Sequence, residues 1–493
     1  MLWIALHLPQ LPLQALPWSE PGLDALLPVA VAEQQRLLGA NRAARVLGIQ
    51  AGQSVPTALS LAPQLLVMPR DPAREARFVE TLALALAALT PNLCLTASGV
   101  LLEVRASLRL FGGLRRLLRR ARALAQGCGA RVRIACAPSA HAAWLFATSG
   151  IVQRHALQSR TCERRLGNVP VAALHALLPL APRQTELMEA LGMQRLGDLR
   201  ALPRAGLQRR LGRELALVLD RAYGDTHDPR RWFEPPERFA LKRELMQRAD
   251  NAEVLVTAAQ ALLPALLGWL QLRWRAATVL VLRLSHEHGR EPPPDTVLWL
   301  QLSAPSRDAT QLALLWRERL QRHTLIAPVY EIELVLEASV PHSGHPGELL
   351  PLPGQTDGEH TALLDRLVAR LGAERVQRWR AAADHRPERA QRALAVTDPC
   401  RSPAPEAEPA PPRPTWLLPV PRPLSSDALG RPCDGGALRL CSRAERIESG
   451  WFDGALVRRD YHVAEGVDHR LRWIYRERRP DGDAHWFLHG WFG

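Results

Sequence analysis

Seven residues near the start of the chain, Leu2-Trp3-Ile4-Ala5-Leu6-His7-Leu8, are almost free of polar positions. So short and continuous an apolar run predicts a strand covered on both faces. Val100–Val104 and Arg131–Ala137 predict further strands of the same kind, and the alanine- and leucine-rich residues 76–90 predict a helix. Leu114-Arg115-Arg116-Leu117-Leu118-Arg119-Arg120-Ala121 sets leucines at helical spacing with arginines opposite. That charged face is either a solvated surface or a face for phosphate. Between Leu13 and Gly52 short apolar runs alternate with turn residues, the pattern of a small inserted module.

Further on, residues 166–235 read as short packed helices. Residues 240–340 repeat strand–helix–strand twice, with helices at Leu255–Leu272 and Thr310–His323 and strands at Thr278–Ser285, Thr296–Leu302 and Tyr330–Leu336, which predicts a mixed sheet. Residues 358–395 read as a helical pair with Leu363, Leu364, Leu367 and Leu371 on one stripe. Proline, alanine and glutamate dominate from Pro399 to Pro423, a composition that favours an extended linker. Beyond it, turn pairs and the alternation in Leu471-Arg472-Trp473-Ile474-Tyr475 predict a small antiparallel β module.

Composition narrows the function. The net charge is +14 and the pI about 10.6, a balance that favours polyanions and nucleic acid first among them. Lys242 is the only lysine, so the charge is carried by arginine, whose fork matches phosphate oxygens in pairs. Codon bias explains the choice of arginine over lysine but not the excess over acids. Schiff-base chemistry has a single candidate residue. The 7 cysteines show no Cys-x-x-Cys spacing, which argues against a zinc ribbon or a disulfide framework. His286-Glu287-His288 resembles a metal pair by residue type, but a surface loop is the plainer reading. There is no phosphate-binding Gly-x-x-x-x-Gly-Lys loop and no nucleophile elbow. No metal and no cofactor is expected. No apolar run reaches the length of a membrane span and no signal peptide opens the chain, so a cytoplasmic location without membrane contact is expected.

The N-terminal half resembles the Y-family (translesion) DNA polymerases, and nearly the whole chain resembles the ImuB group among them. The residues that carry the resemblance are the first strand, the segment Ser98-Gly99-Val100-Leu101-Leu102-Glu103, Leu110-Phe111-Gly112-Gly113, Asn41-Arg42-Ala43-Ala44-Arg45 with Gly48 to Gly52, and Ile134-Ala135-Cys136-Ala137-Pro138-Ser139. Active members carry catalytic acids at positions that are here Ala5, His7, Ser98 and Gly99. Arg42 stands where they have a phosphate-steering tyrosine, Arg45 keeps their arginine, and Ala140 and Trp144 stand where two lysines usually follow. Two-metal phosphoryl transfer needs carboxylates to hold cations about 4 Å apart. Glu103 lies about 15 Å along the strand from Ser98. Between Met1 and Arg70 the only other acids are Glu20, Asp24 and Glu33.

The resemblance implies an α/β (α+β) multidomain fold: a palm (1–10 and 71–165), fingers (11–70), a helical thumb of helix-hairpin-helix type (166–236) and a little finger (237–342). A clamp-motif-like segment with helices (343–397), a proline-rich linker (398–434) and a β-rich partner-binding module (435–493) follow. DNA contacts are expected at Lys242, Arg243, Arg273, Arg275 and Arg283. Arg183 is expected to serve where a thumb glycine turn would be. Arg42 and Arg45 would be the remnant of a nucleotide pocket. Leu349, Leu350, Pro351 and Leu352 stand where the group carries a peptide for the sliding clamp; a plain proline-rich turn is the other reading. Trp451, Phe452, Tyr461 and Trp473 are the expected partner-binding aromatics, the implied partners being an ImuA-type RecA-like protein and an error-prone C-family DNA polymerase. Three functions stand open: a non-catalytic scaffold on primer–template DNA in translesion synthesis, an active Y-family polymerase whose acids are misaligned, and an interaction hub that never touches DNA.

Overall fold

The computed structural model describes residues 1–17, 27–150, 155–287, 295–342, 357–396, 412–478 and 484–493. They fall into two compact units, Met1–Arg370 and Leu371–Gly493.

Strand β1 (Trp3–His7) leads through a short helix α1 (Leu11–Gln14) into a small three-stranded module. That module holds β2 (Val29–Glu33), β3 (Arg36–Ala40), helices α2 (Arg42–Val46) and α3 (Val55–Leu61), and β4 (Leu66–Pro69). The chain returns through α4 (Pro72–Leu86), whose first turn is fixed by Pro72 and by Asp71 accepting from Arg74 N (3.0 Å). β5 (Leu93–Thr96), β6 (Gly99–Glu103), α5 (Leu114–Gly127), β7 (Arg133–Ala137) and α6 (Ala140–Thr148) complete the first sheet, an antiparallel one ordered β5-β6-β1-β7. β1 is buried on both faces, as its continuous apolar run predicts. Successive side chains of a strand point to opposite faces. Leu2, Ile4 and Leu6 pack with α4 and α5 through Val79, Leu82, Leu117 and Ala121. Trp3 and Ala5 pack with α6 and the next helices.

Those helices are α7 (Ser159–Gly167), α8 (Pro182–Ala190), α9 (Leu196–Ala201), α10 (Arg204–Leu211) and α11 (Arg213–Tyr223), joined through Leu166, Leu196, Leu199, Leu211 and Leu215. The last module of the first unit comprises β8 (Ala240–Ala249), α12 (Ala252–Gln260), α13 (Leu263–Leu272), β9 (Arg275–His286), β10 (Thr296–Ser306), α14 (Ala309–Arg322) and β11 (Val329–Pro341). The mixed sheet expected here is antiparallel at every neighbouring pair, because β11 returns between β8 and β9 in the order β10-β9-β11-β8. Ala252–Leu272, covering α12 and α13, has the length and apolar character of a membrane span, which the sequence reading overlooked. Here it is core: Leu255, Val256, Leu262, Leu266 and Leu270 are buried against the sheet and α14. α13 lies against α4 so closely that a side chain at Gly268 would collide with the Leu84 carbonyl. α15 (Asp357–Leu371) follows, its buried Asp365 accepting from Ser303 N (2.8 Å) and Gln311 Nε2 (3.1 Å).

The expected second helix of 358–395 is instead a hairpin, β12 (Gln377–Ala381) with β13 (Gln391–Ala395). The proline-rich stretch also departs from expectation. Trp416–Ser426 is strand β14, paired with β20 (Ala484–Trp491) at both ends. Pro419 and Pro421 fall in the irregular stretch between Leu417 and Arg422, where no ladder donor is required. The terminal sheet, completed by β15 (Pro432–Cys433), β16 (Arg439–Leu440), β17 (Glu445–Ser449), β18 (Val457–Glu465) and β19 (Leu471–Arg478), is antiparallel and ordered β15-β14-β20-β19-β18-β16, with β17 also on β18.

Candidate functional site

The expected palm positions come together, with Ala5 and Gly99 buried and His7 and Ser98 half-buried. Ala5 faces Leu101 and Ala135 across the sheet and has 0% of its surface exposed, among Trp144, Leu145 and the thumb helices. Trp144 donates its indole N–H to Ala176 O (3.1 Å) and meets the His7 ring edge-on at 5.5 Å. The chain leaving α11 covers the same face: Trp232 stacks on Trp3 at 5.9 Å, and Asp228 pairs with the buried His141 at 2.7 Å. A side chain at Gly99 would run into the Leu6 carbonyl, so the β1–β6 approach admits only glycine there. His7 Nδ1 lies 3.2 Å from Ser98 Oγ. Burial lowers the His7 pKa; a hydrogen bond to the Ser98 backbone opposes this, and Arg133 adds to it. Glu103 is turned to nearby backbone, accepting from Leu2 N (3.1 Å) and Arg105 N (3.3 Å), while Glu33 pairs with Arg70 at 3.3 Å. No group of three His, Cys, Asp or Glu side chains that could share a metal occurs among the described residues. Glu20, Asp24 and His288 lie outside them. His286 is no loop residue: it is buried at the end of β9, bonded to Ala327 O (2.8 Å) and Thr296 Oγ1 (2.7 Å).

A separate cleft of 1080 Å³ opens between α1, α2, α4 and β8. None of Ala5, His7, Ser98 and Gly99 lines it. Arg42, Arg45, Arg74, Arg77, Arg131, Arg238, Lys242 and Arg243 do, with Glu80, Glu244, Glu331 and Glu333. Arg42, Arg77, Arg131 and Arg238 are exposed, with no ion pair to any of them among the described residues. Arg45 reaches its own helix cap, at Asn41 O (3.4 Å). Arg74 is held by Glu244 at 2.7 Å. Arg77, Arg131 and Arg238 escaped the sequence reading, because they are scattered along the chain and carry no motif; only the docking of β8 against α4 groups them.

The expected DNA contacts do not form one surface. Lys242 is paired with Glu331 (3.2 Å) and Arg283 with Glu333 (3.0 Å). The register sets Glu333 opposite both Lys242 and Arg283, so this sheet face is a charge-balanced ladder. Arg243 is corrected outright. Its Nη2 donates to Cys128 O (3.3 Å), its Nη1 is shut away from solvent without a partner among the described residues, and burial lowers its pKa. Arg275 is likewise structural, donating to Ser339 Oγ (2.6 Å) and to the Ser339 carbonyl. Arg273 is exposed but donates to Pro235 O (2.7 Å). Arg183 is exposed in the first turn of α8, where Pro182 occupies the first helical position and removes one backbone donor. Leu349, Leu350, Pro351 and Leu352 lie outside the described residues.

In the second unit the four expected aromatics divide. Trp451 and Phe452 are 71% and 63% exposed and meet edge to face at 5.9 Å. Arg386 lies over the Phe452 ring (5.4 Å) and bonds Asp453 and Ala455 O, which pins their loop to the β12–β13 hairpin. Tyr461 and Trp473 are 1% and 2% exposed, stacked at 4.1 Å in the core of the sheet, and are not available to a partner. Both sit on inward positions of paired strands. The Tyr461 hydroxyl bonds His489 Nδ1 (2.7 Å), and burial takes the His489 pKa down to about 4.

Residues 14–148 match the impB/mucB/samB family. The chain is similar to Protein ImuB of two strains of Caulobacter vibrioides, with 27% identity over 472 residues, 91% of this chain and 100% of the relative. Among solved structures, a Dbh ternary complex is 17% identical with a TM-score of 0.38, covering 69% of this chain and 99% of that one. DinB from Sulfolobus solfataricus is 15% identical with a TM-score of 0.35, covering 69% and 100%. The likeness to the impB/mucB/samB family thus covers residues 14–148, and the likeness to Protein ImuB covers nearly all of the chain.

Proposed function

We propose that this chain is a non-catalytic, polymerase-shaped scaffold of error-prone translesion DNA synthesis, acting in the DNA damage (SOS mutagenesis) response. It holds primer–template DNA and recruits a separate, active polymerase. The observation that carries the reading is the closed palm: Ala5 is sealed among apolar side chains, and Gly99 has no room for a side chain. Carboxylates cannot be presented there, and cations with them. The exposed arginines of the cleft supply the grip, which is electrostatic and sequence-tolerant. Trp451 and Phe452 on their pinned loop are the recruiting surface. The partners are an ImuA-type RecA-like protein and an error-prone C-family polymerase, with the sliding clamp as a further one through residues 349–352. The working compartment is the cytoplasm.

Primer extension with Mg²⁺ or Mn²⁺ tests the reading. No incorporation by the purified chain is expected; incorporation that depends on this chain would return it to the active polymerases. The charge-balanced ladder at Lys242, Glu333 and Arg283 favours one other reading, a hub that never touches DNA. Absence of binding to a primed duplex at low salt would select that reading.

A further inference from the structure

α5 and the turn before it carry seven arginines: Arg105, Arg109, Arg115, Arg116, Arg119, Arg120 and Arg122. All are exposed, and no side-chain ion pair forms to any of them among the described residues. Arg120 lies over the Phe111 ring at 5.0 Å. This contrasts with the sheet of β8, β9 and β11, where Lys242 and Arg283 each have a glutamate. The helix is also electrostatically mismatched on its own. Its first turn holds Arg115 and Arg116 and no acid, against the direction its dipole favours. Arg115–Arg119 and Arg116–Arg120 are like-charge pairs four residues apart, and each destabilises the helix. A local rule broken several times in one place, with no acid to offset it among the described residues, marks a surface completed by a ligand.

Two features of the placement say which ligand. Leu117, Ala121 and Ala125 turn α5 onto the sheet face opposite Ala5, and its C-terminal end runs into Cys128, Gly129 and Arg131 at the rim of the cleft. Arg115, Arg119 and Arg122 therefore form a row leading away from that rim, about 10 Å long at 1.5 Å per residue. At the far end lies an apolar hollow of 420 Å³ between Gly112, Leu114, Leu118, His155 and Leu157. A row of cations beside an apolar hollow suits phosphates with an unstacked base next to them, a combination that a single strand offers and a duplex does not.

We infer that α5 is a second nucleic-acid site, which holds single-stranded DNA continuing from a duplex in the cleft. This rests on the reading of the chain as a DNA binder, and the experiment separates the two. Binding of the full chain is measured by fluorescence anisotropy over a salt series. One probe is a blunt primed duplex; the other is the same duplex with a single-stranded extension. The extension is expected to tighten binding by about tenfold and to steepen the salt dependence by about 2, at 0.7 per phosphate for three contacts. Arg115→Gln/Arg119→Gln/Arg122→Gln should abolish that increment and leave blunt-duplex binding unchanged, and Arg115→Lys/Arg119→Lys/Arg122→Lys should keep most of it. The thermal midpoint of the glutamine variant should hold or rise, since like charges are removed. Equal binding of both probes by the unaltered chain overturns the α5 site alone. No binding of either probe overturns the DNA reading and this proposal with it. An increment that survives the glutamine substitutions also overturns it, as does loss only of binding to anionic lipid vesicles.

Discussion

The palm face and the cleft stand a few residues apart on β1 and α1, and they have opposite character. The palm face is apolar and largely covered: Ala5 is buried, His7 and Ser98 are half-buried, a tryptophan lies edge-on to His7, and returning chain covers Trp3. The cleft is open and lined by arginines, several without an acid. On the proposed reading, a polymerase-like framework has given up its reaction centre and kept a gripping surface, and the two rest on different physics. Metal catalysis depends on a few carboxylates within ångströms of one another. Backbone binding depends on total charge over a wide area and tolerates the loss of any one residue.

The largest expected effect comes from trying to reopen the closed side. Ala5→Asp puts a carboxylate into a fully buried apolar cluster, so urea unfolding should show a loss of about 3 kcal/mol or more, or no folded protein. A loss below about 1 kcal/mol would mean the face is open to solvent and the contrast is false. A smaller effect belongs to the open side. Arg42→Gln/Arg77→Gln/Arg131→Gln should weaken duplex binding and lower the salt slope by up to about 3, at 0.9 per phosphate contact, without changing stability by more than about 0.5 kcal/mol. An unchanged slope would move the DNA off the cleft.

The smallest effect concerns pH. Burial lowers the His7 pKa, so the folded state binds its proton less readily than the unfolded chain does. The stabilisation from neutral His7 is therefore complete above the unfolded value of about 6.5, and it is lost as pH falls from there towards the lowered folded value. Imidazole NMR should place the His7 midpoint below 6.5. A raised midpoint would reveal negative charge close by, as a metal-holding pocket would have, and would erase the difference between the two regions.

What could be read directly came from local pattern. The continuous apolar run 2–8 fixed a doubly covered strand, and the leucine spacing of 114–121 fixed α5 and its arginine face. The resemblance placed Ala5, His7, Ser98 and Gly99 at one site, and the β1–β6 register brings them together. Residue type alone left that site without acids. Errors arose where partners are distant. The proline-rich composition of 416–426 hid a strand, because its pairing partner is β20, more than sixty residues on.

The sequence by itself determined the order of the elements, the excess of arginine and the lack of carboxylates at the palm, since each is a property of one residue or a short window. Tertiary structure alone decided which charges are neutralised and which aromatics are free. Lys242 meets Glu331 across 89 residues of chain, and Arg74 meets Glu244 across 170. Tyr461 and Trp473 stack inside the terminal sheet while Trp451 and Phe452 stand outside it. Charge and aromatic character belong to the residue, but pairing and burial belong to the neighbours that folding supplies.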